Sequence, residues 1–256
     1  MRGNFEYVYQ LLMSYFAEAR LVDPDFIFNI QTTSCKDKIF TRCFWCFGPP
    51  KKTYKLLRPV VVIDRTFLKG KYRGTLLTTI TIDPSNHIFL LAFSITDSET
   101  TKSWTYFLEM FGVNFHGYDA RFVVISDRNP GIINVIPKVF PFAIHTFCTF
   151  HISNDIKTTL ESTRIAFWMA AEALTSIDFD KHMNTIRNTD PVSLQYILGI
   201  PKEIWSNLYI LMSRYVVTLY CSTYHLLNEN SHYNFIYILI YSCMIPFVIC
   251  LCPFGF

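Results

Sequence analysis

Two apolar runs, each leading into a carboxylate, constrain the fold of this chain more than any other feature. Val60-Val61-Val62-Ile63 runs directly into Asp64, and Phe122-Val123-Val124-Ile125 is separated from Asp127 by a single serine. An unbroken run of mostly β-branched residues predicts a strand buried on both faces, as in the middle of an α/β sheet. An acid at the carboxyl end of such a strand stands at the rim of the sheet, where open α/β folds place their ligands. A carboxylate held there without a partner is unfavourable. One cation shared by both acids is the simplest relief.

The order of elements around the two acids follows from pattern. Thr66 to Gly74 is a basic turn with two glycines. Thr75 to Ile82 is rich in β-branched residues and predicts a second strand. Asp83-Pro84-Ser85-Asn86 is dense in turn formers, and Ile88 to Ile95 predicts a third strand. Trp104, Phe107, Leu108 and Phe111 recur at helical spacing within Ser103 to Val113. After the strand that leads to Asp127, the residues Ile132, Ile133, Ile136 and Val139 predict a short helix closed by Pro141, and Ala143 to Phe147 a fifth strand. The predicted string is βββαβαβ, with the two acids at the ends of its first and fourth strands.

Particular residues within this string resemble a known family. Asp64-x-Thr66-Phe67-Leu68-x-Gly70-x-Tyr72-x-Gly74, Ile88-Phe89-x-Leu91-Ala92-Phe93, Asp97-Ser98-Glu99 and Trp104 are similar to the Mutator-like (MULE) transposase domain of plants. So are Ile125-Ser126-Asp127-Arg128-x-x-Gly131-Ile132, Phe140-Pro141 and Cys148-x-x-His151. The likeness is close from Tyr54 to Thr159 and looser from Phe167 to Trp205. It implies an α/β, ribonuclease H-like mixed sheet in which the first and fourth strands lie side by side. It also implies a DDE triad whose first two members fall on Asp64 and Asp127, as catalytic residues and ligands of Mg²⁺ or Mn²⁺. Cys148 and His151 are implied to sit beside the catalytic sheet, tying the fifth strand to the following helix. Arg65 departs from the family, which usually has glycine there.

The charge distribution adds a candidate partner. The net charge is only +3, which by itself says little about a polyanion. However, Lys51, Lys52, Lys55, Arg58, Arg65, Lys69, Lys71 and Arg73 crowd around the first acid. Basic side chains beside acidic metal ligands suit a site that admits a phosphate backbone. Arg65, Lys69, Lys71 and Arg73, with Arg128 beside the second acid, are therefore the candidate DNA contacts. A solvated basic turn is the simpler reading of such a cluster if the acids are disregarded.

Before the first core strand, Tyr7 to Leu21 has the spacing of an amphipathic helix, and Phe26 to Ile30 with Phe40 to Phe47 predicts a strand pair. Met1 to Tyr7 lacks the apolar core of a signal peptide, so a disulfide framework among the eight cysteines is not expected. Cys43-Phe44-Trp45-Cys46 and Cys148-x-x-His151 together have zinc-site spacing. The aromatic, strand-like setting of the first pair instead predicts small buried apolar residues.

From Ser153 onward the pattern is helical, with Ile165 to Leu174, Phe179 to Ile186, and two segments opened by Pro191 and Pro201. The family resemblance implies a helical insertion here, followed by a third acid shortly after Arg214-Tyr215. That position falls on Tyr224 or His225, and neither is a carboxylate. Glu229 comes too late, and Glu161, Glu172 and Glu203 have no evident place at the site. Two-metal chemistry needs carboxylates on both ions, so the expectation is a silent site with metal binding weak or lost. Residues 233–256 contain no charged residue, which suits either a truncated or misread coding end or a membrane anchor.

The chain thus divides into an N-terminal helix and hairpin region (1–53), a ribonuclease H-like core (54–160), a helical insertion (161–228) and an apolar tail (229–256). The implied function is that of a MULE-type DNA transposase catalytic-domain fragment without activity. A non-catalytic, domesticated DNA-associated factor of the far-red-response kind and a membrane-anchored protein retaining the domain are the alternatives. DNA at transposon ends is the expected partner, with self-association open, and the nucleus is the expected location, with the membrane as the alternative if the tail is an anchor.

Overall fold

The computed structural model describes residues 4–33, 40–68, 74–85, 87–116, 121–158 and 160–210. Lys69, Lys71, Arg73, Tyr224, His225, Glu229 and the apolar tail lie outside these residues. The chain opens with helix α1 (Asn4–Val22), followed by strands β1 (Ile27–Thr32) and β2 (Phe40–Cys46) and a short helix α2 (Gly48–Thr53). The core follows as β3 (Val60–Leu68), β4 (Gly74–Ile82), β5 (Ile88–Thr96), α3 (Thr101–Phe115), β6 (Val123–Ser126), α4 (Pro130–Val139) and β7 (Ile144–Phe147). Four helices complete the described chain: α5 (Thr149–Asp155), α6 (Glu161–Glu172), α7 (Ser176–Thr189) and α8 (Pro191–Leu198). The core order is the βββαβαβ expected from the sequence.

All seven described strands join one mixed sheet in the order β1-β2-β5-β4-β3-β6-β7. The N-terminal hairpin continues the core sheet, because β2 pairs antiparallel with β5 from Arg42↔Thr96 to Trp45↔Phe93. The meander β3-β4-β5 is antiparallel throughout, whereas β3 pairs parallel with β6 and β6 with β7. Strands β3, β5, β6 and β7 therefore all point the same way. Their carboxyl ends share one rim.

One detail differs from the sequence reading. β3 does not end at Asp64 but continues to Leu68. The apolar run stops at Ile63 because burial stops there, while β4 goes on pairing with β3 through Thr66↔Leu76 and Leu68↔Gly74. The strand's outer half is held by backbone hydrogen bonds on one side rather than by a buried face.

Alternation along the strands sends side chains to two cores. Val61, Ile63, Leu77, Phe44 and Val124 face α3 and α4, where Trp104, Phe107, Phe111, Ile132 and Ile136 complete one buried cluster. On the opposite face α1 covers one half of the sheet, with Leu12 and Phe16 against Phe26, Trp45 and Phe93. Val60, Val62, Val123 and Ile125 occupy the other half of that face beside Cys148. Helices α5 to α8 form their own core around Phe167, Phe179 and Trp205. Arg128 ties this block to the sheet through Asp155 at 3.1 Å and the Tyr196 hydroxyl.

The same alternation settles the CxxC. Cys43 and Cys46 are three residues apart on β2, so they face opposite sides of the sheet and lie in different clusters. Burial pushes both thiols up to about 12. Neither Cys43 nor Cys46 shares the cluster that holds Cys148, and the pair serves as apolar packing.

Since Phe107 is fully buried between α3 and the sheet, Phe107→Ala is expected to lower unfolding stability by about 3–5 kcal/mol. Val113→Ala on the same helix, at an 80% exposed position, is expected to stay within about 0.5 kcal/mol. Urea denaturation followed by circular dichroism measures both.

Candidate functional site

The last registered pair between β3 and β6 is Val62↔Ile125. Asp64 and Asp127 each lie two residues beyond it, so the parallel ladder delivers them to the same rim at equal offset. Asp64 belongs to the face of Val60 and Val62, toward Cys148 and α5. Arg65, the next residue, points to the opposite face, toward the start of α3. The two faces of one strand thus divide the charged groups of the site.

Glu99 is a third acid at this rim, and sequence reasoning assigned it no role. It follows β5, whose carboxyl end lies at the same edge, and it precedes α3. Arg65 Nη1 lies 2.8 Å from Glu99 Oε2, and Arg65 Nε lies 3.6 Å from Asp127 Oδ2. The second distance is an ion pair without a hydrogen bond. The guanidinium also lies 4.8 Å from the ring centre of Phe67, a residue 62% exposed. On its other side Glu99 Oε1 accepts from Trp104 Nε1 at 3.2 Å and from Asn129 Nδ2 at 2.6 Å.

This network accounts for much of the motif read from the sequence. Asn129 caps α4 by accepting from the Gly131 amide at 2.7 Å, and its own amide donates to Asp127 Oδ1 at 3.1 Å. A Cβ on Gly131 would stand 2.9 Å from Asn129 Oδ1 and 3.0 Å from Trp104 Cδ1. Only glycine lets the start of α4 approach Trp104 so closely. At the start of α3, Thr100 accepts from the Ser103 amide at 3.1 Å, and the Ser103 hydroxyl donates to the Ser98 carbonyl at 2.7 Å. Asp97-Ser98-Glu99, Trp104 and Asp127 to Gly131 are therefore one hydrogen-bonded assembly that aims the acids.

The electrostatics of the rim follow from burial and mutual repulsion. Burial raises the Asp64 carboxyl above its usual range; His151, the Arg65 amide and the Arg65 charge pull it back, while the charge of Asp127 adds to the rise. Burial likewise raises Glu99; Arg65 and Trp104 oppose this, while Asp127 and Asp64 add to it. Two histidines at the same edge diverge. Burial pushes His145 down to about 4. The Ser126 hydroxyl is 2.7 Å from the Asp127 carbonyl and 2.8 Å from His145 Nε2. For His151 burial works against the charge, yet the adjacent Cys148 side chain and the carboxylates of Asp64 and Asp127 push it up to about 9.

The sequence-derived residues fall into three groups. Asp64, Asp127, Cys148 and His151 meet at the rim. Arg65 and Arg128 point inward to acids, Arg65 to Glu99 and Asp127 and Arg128 to Asp155. Of the other glutamates, Glu161 and Glu203 are exposed in the helical block, and Glu172 is half-buried in α6. Among the described residues no group of three or more His, Cys, Asp or Glu converges as a metal site, and two of the rim acids, Glu99 and Asp127, are paired with the Arg65 guanidinium. Among the described residues no helix is long and apolar enough to cross a membrane.

The His151 shift makes a pH prediction. With its folded pKa raised from 6.5 to about 9, the stability it contributes is fully present below about pH 6.5 and is lost as pH rises through about 9. Imidazole proton NMR is expected to show His151 titrating near pH 9, and Asp64→Asn is expected to lower that midpoint. Thermal stability between pH 6.5 and 10 is expected to decline less in His151→Gln than in the wild type.

Comparison with known proteins bears on the same residues. The MULE transposase domain model matches residues 60–155. Protein FAR1-RELATED SEQUENCE 2 of Arabidopsis thaliana is 26% identical over 153 residues, which are 59% of this chain and 18% of that protein. Protein FAR1-RELATED SEQUENCE 6 of the same plant is 23% identical over 186 residues, 70% of this chain and 25% of that protein. A transposase for an insertion sequence element of Lactococcus lactis is 23% identical over 175 residues, 59% of this chain and 44% of that protein. The chain spans about a fifth of the length of the first Arabidopsis relatives it matches. The segment that brings Asp64, Glu99, Asp127, Cys148 and His151 to one rim is the one that matches the MULE transposase domain model.

Proposed function

We propose that this domain is a ribonuclease H-like, transposase-derived fold that keeps two acids of a DDE site and associates with DNA in the nucleus without cutting it. The observation that carries the reading is the equal offset of Asp64 and Asp127 beyond the last β3–β6 pair, within the segment that matches the family. The lack of cutting is supported by the sequence at the third position. Tyr224 and His225 stand where a glutamate is expected, and neither brings negative charge to a hard oxygen-loving ion near neutral pH. Mg²⁺ or Mn²⁺ binding at Asp64 and Asp127 is accordingly weak or lost.

DNA contact is assigned to Lys69, Lys71 and Arg73, which lie in sequence between β3 and β4. Arg65 and Arg128, engaged with acids of the chain itself, contribute less. A second reading, an active catalytic fragment of a MULE-type transposase, is favoured by the similarity to the Lactococcus transposase.

Fluorescence anisotropy with duplex DNA is expected to show binding that weakens as salt is raised. Replacing Lys69, Lys71 and Arg73 together with alanine is expected to weaken it and to flatten the salt dependence by roughly one unit of slope per lost phosphate contact. The wild-type chain is expected not to nick supercoiled DNA with Mn²⁺. Nicking that disappears in Asp64→Asn would establish the active reading instead. Gain of nicking in Tyr224→Glu or His225→Glu would identify the missing ligand.

A further inference from the structure

Arg65 is the cation of this site. We propose that its guanidinium, paired with both Glu99 and Asp127, takes the place of a cation beside Asp127, so that these two acids are neutralised by the chain itself. Removing that one charge is then expected to uncover a cation site. The inference rests on the reading of the rim as a former nucleotidyl-transfer site, but it concerns only what now neutralises that rim.

Three observations carry it. Arg65 Nη1 is 2.8 Å from Glu99 and Nε is 3.6 Å from Asp127, so one side chain spans two acids supplied by different elements. The group is held on several sides: Phe67 lies against the guanidinium at 4.8 Å, and Glu99 is itself fixed by Trp104 and Asn129. The side chain is about three-quarters removed from solvent, as its exposure of 26% and the 13% and 16% of its two partners show. This is not a surface arginine that happens to pass near an acid.

The chemistry of arginine makes the replacement permanent. A guanidinium stays protonated at any pH the fold tolerates, so it does not leave the site by titration as a histidine or a buried lysine would. A divalent ion entering between the same carboxylates would meet a fixed positive charge within a few ångströms, in surroundings less polar than water. It would also have to displace the ion pair with Glu99. Asp64, on the opposite face of β3, lies outside this ion-paired pair, but its amide-bound carboxylate is close enough to feel Asp127.

The test measures Mn²⁺ uptake by the full chain from the electron paramagnetic resonance signal of free Mn²⁺, with circular dichroism to confirm folding. The wild type is expected to take up little Mn²⁺, and Asp127→Asn to leave that little unchanged. Arg65→Gln, which keeps a polar side chain of similar reach without the charge, is expected to bind Mn²⁺ at least tenfold more tightly. The double variant Arg65→Gln with Asp127→Asn is expected to lose the gain. Arg65→Lys, which keeps a positive charge, is expected to behave as the wild type, an outcome that a purely structural role for Arg65 does not predict. A folded Arg65→Gln that binds Mn²⁺ no better than the wild type would overturn the inference. So would wild-type uptake that Asp127→Asn abolishes, a result available even if Arg65→Gln does not fold. DNA affinity and nicking, measured on the wild type, judge the proposed function separately.

Discussion

Three backbone pairs, Val60 with Val123, Val61 with Val124 and Val62 with Ile125, decide where the charged groups of this molecule can lie. The ladder joins strand segments that are buried on both faces, and a one-residue shift between them would end the equal offset of Asp64 and Asp127. With the register fixed, the first residues beyond the ladder are fixed as well. Asp64 and Asp127 are brought together by hydrophobic burial that neither of them takes part in. The remaining residues of the rim arrive by the same direction of travel, since β5 and β7 run parallel to β3 and deliver Glu99, Cys148 and His151 to the same edge.

Burial and function pull against each other at this edge. The apolar cluster beneath the rim, with Val60, Val62, Val123, Ile125 and Cys148, strips water from the Asp64 carboxyl and raises its pKa. An acid so placed is unfavourable in its charged form unless something positive answers it. His151 answers on the face of α5, and Arg65 answers Glu99 and Asp127 on the face of α3. Consecutive residues of β3 thus send an acid and a cation to opposite sides of the strand, while Asp127 acts on both His151 and Arg65.

Sequence periodicity made much of this legible and missed the rest for identifiable reasons. The buried strands were legible because both of their faces are apolar, and α3 because Trp104, Phe107, Leu108 and Phe111 repeat at helical spacing. The outer half of β3 was not, since Thr66 to Leu68 is held by pairing with β4 and leaves no apolar run. Glu99 went unassigned because no strand pattern ends on it; its place depends on Trp104 and on Asn129, 30 residues away. The available signal was topological: the acids in the Asp97-Ser98-Glu99 segment that follows a strand parallel to β3 must fall near the same edge. Arg65 was read as one of a basic group facing phosphate, and a residue count cannot tell a cation turned outward from one turned toward an acid on another element.

The charge balance at the rim follows from these placements. Three acids, Asp64, Glu99 and Asp127, meet two basic groups, Arg65 and His151, and burial of Asp64 and Glu99 works against their ionisation. Carboxylate sites that hold divalent ions work in the opposite sense, concentrating negative charge that the ions then neutralise. Here the neutralisation is covalently attached, and the hydrogen bonds from Trp104 and Asn129 to Glu99 hold it in place. Those same bonds fix the starts of α3 and α4 against each other. The contacts that orient Glu99 toward Arg65 are therefore also contacts that hold the fold, which ties the placement of this ion pair to the packing of the two helices behind it.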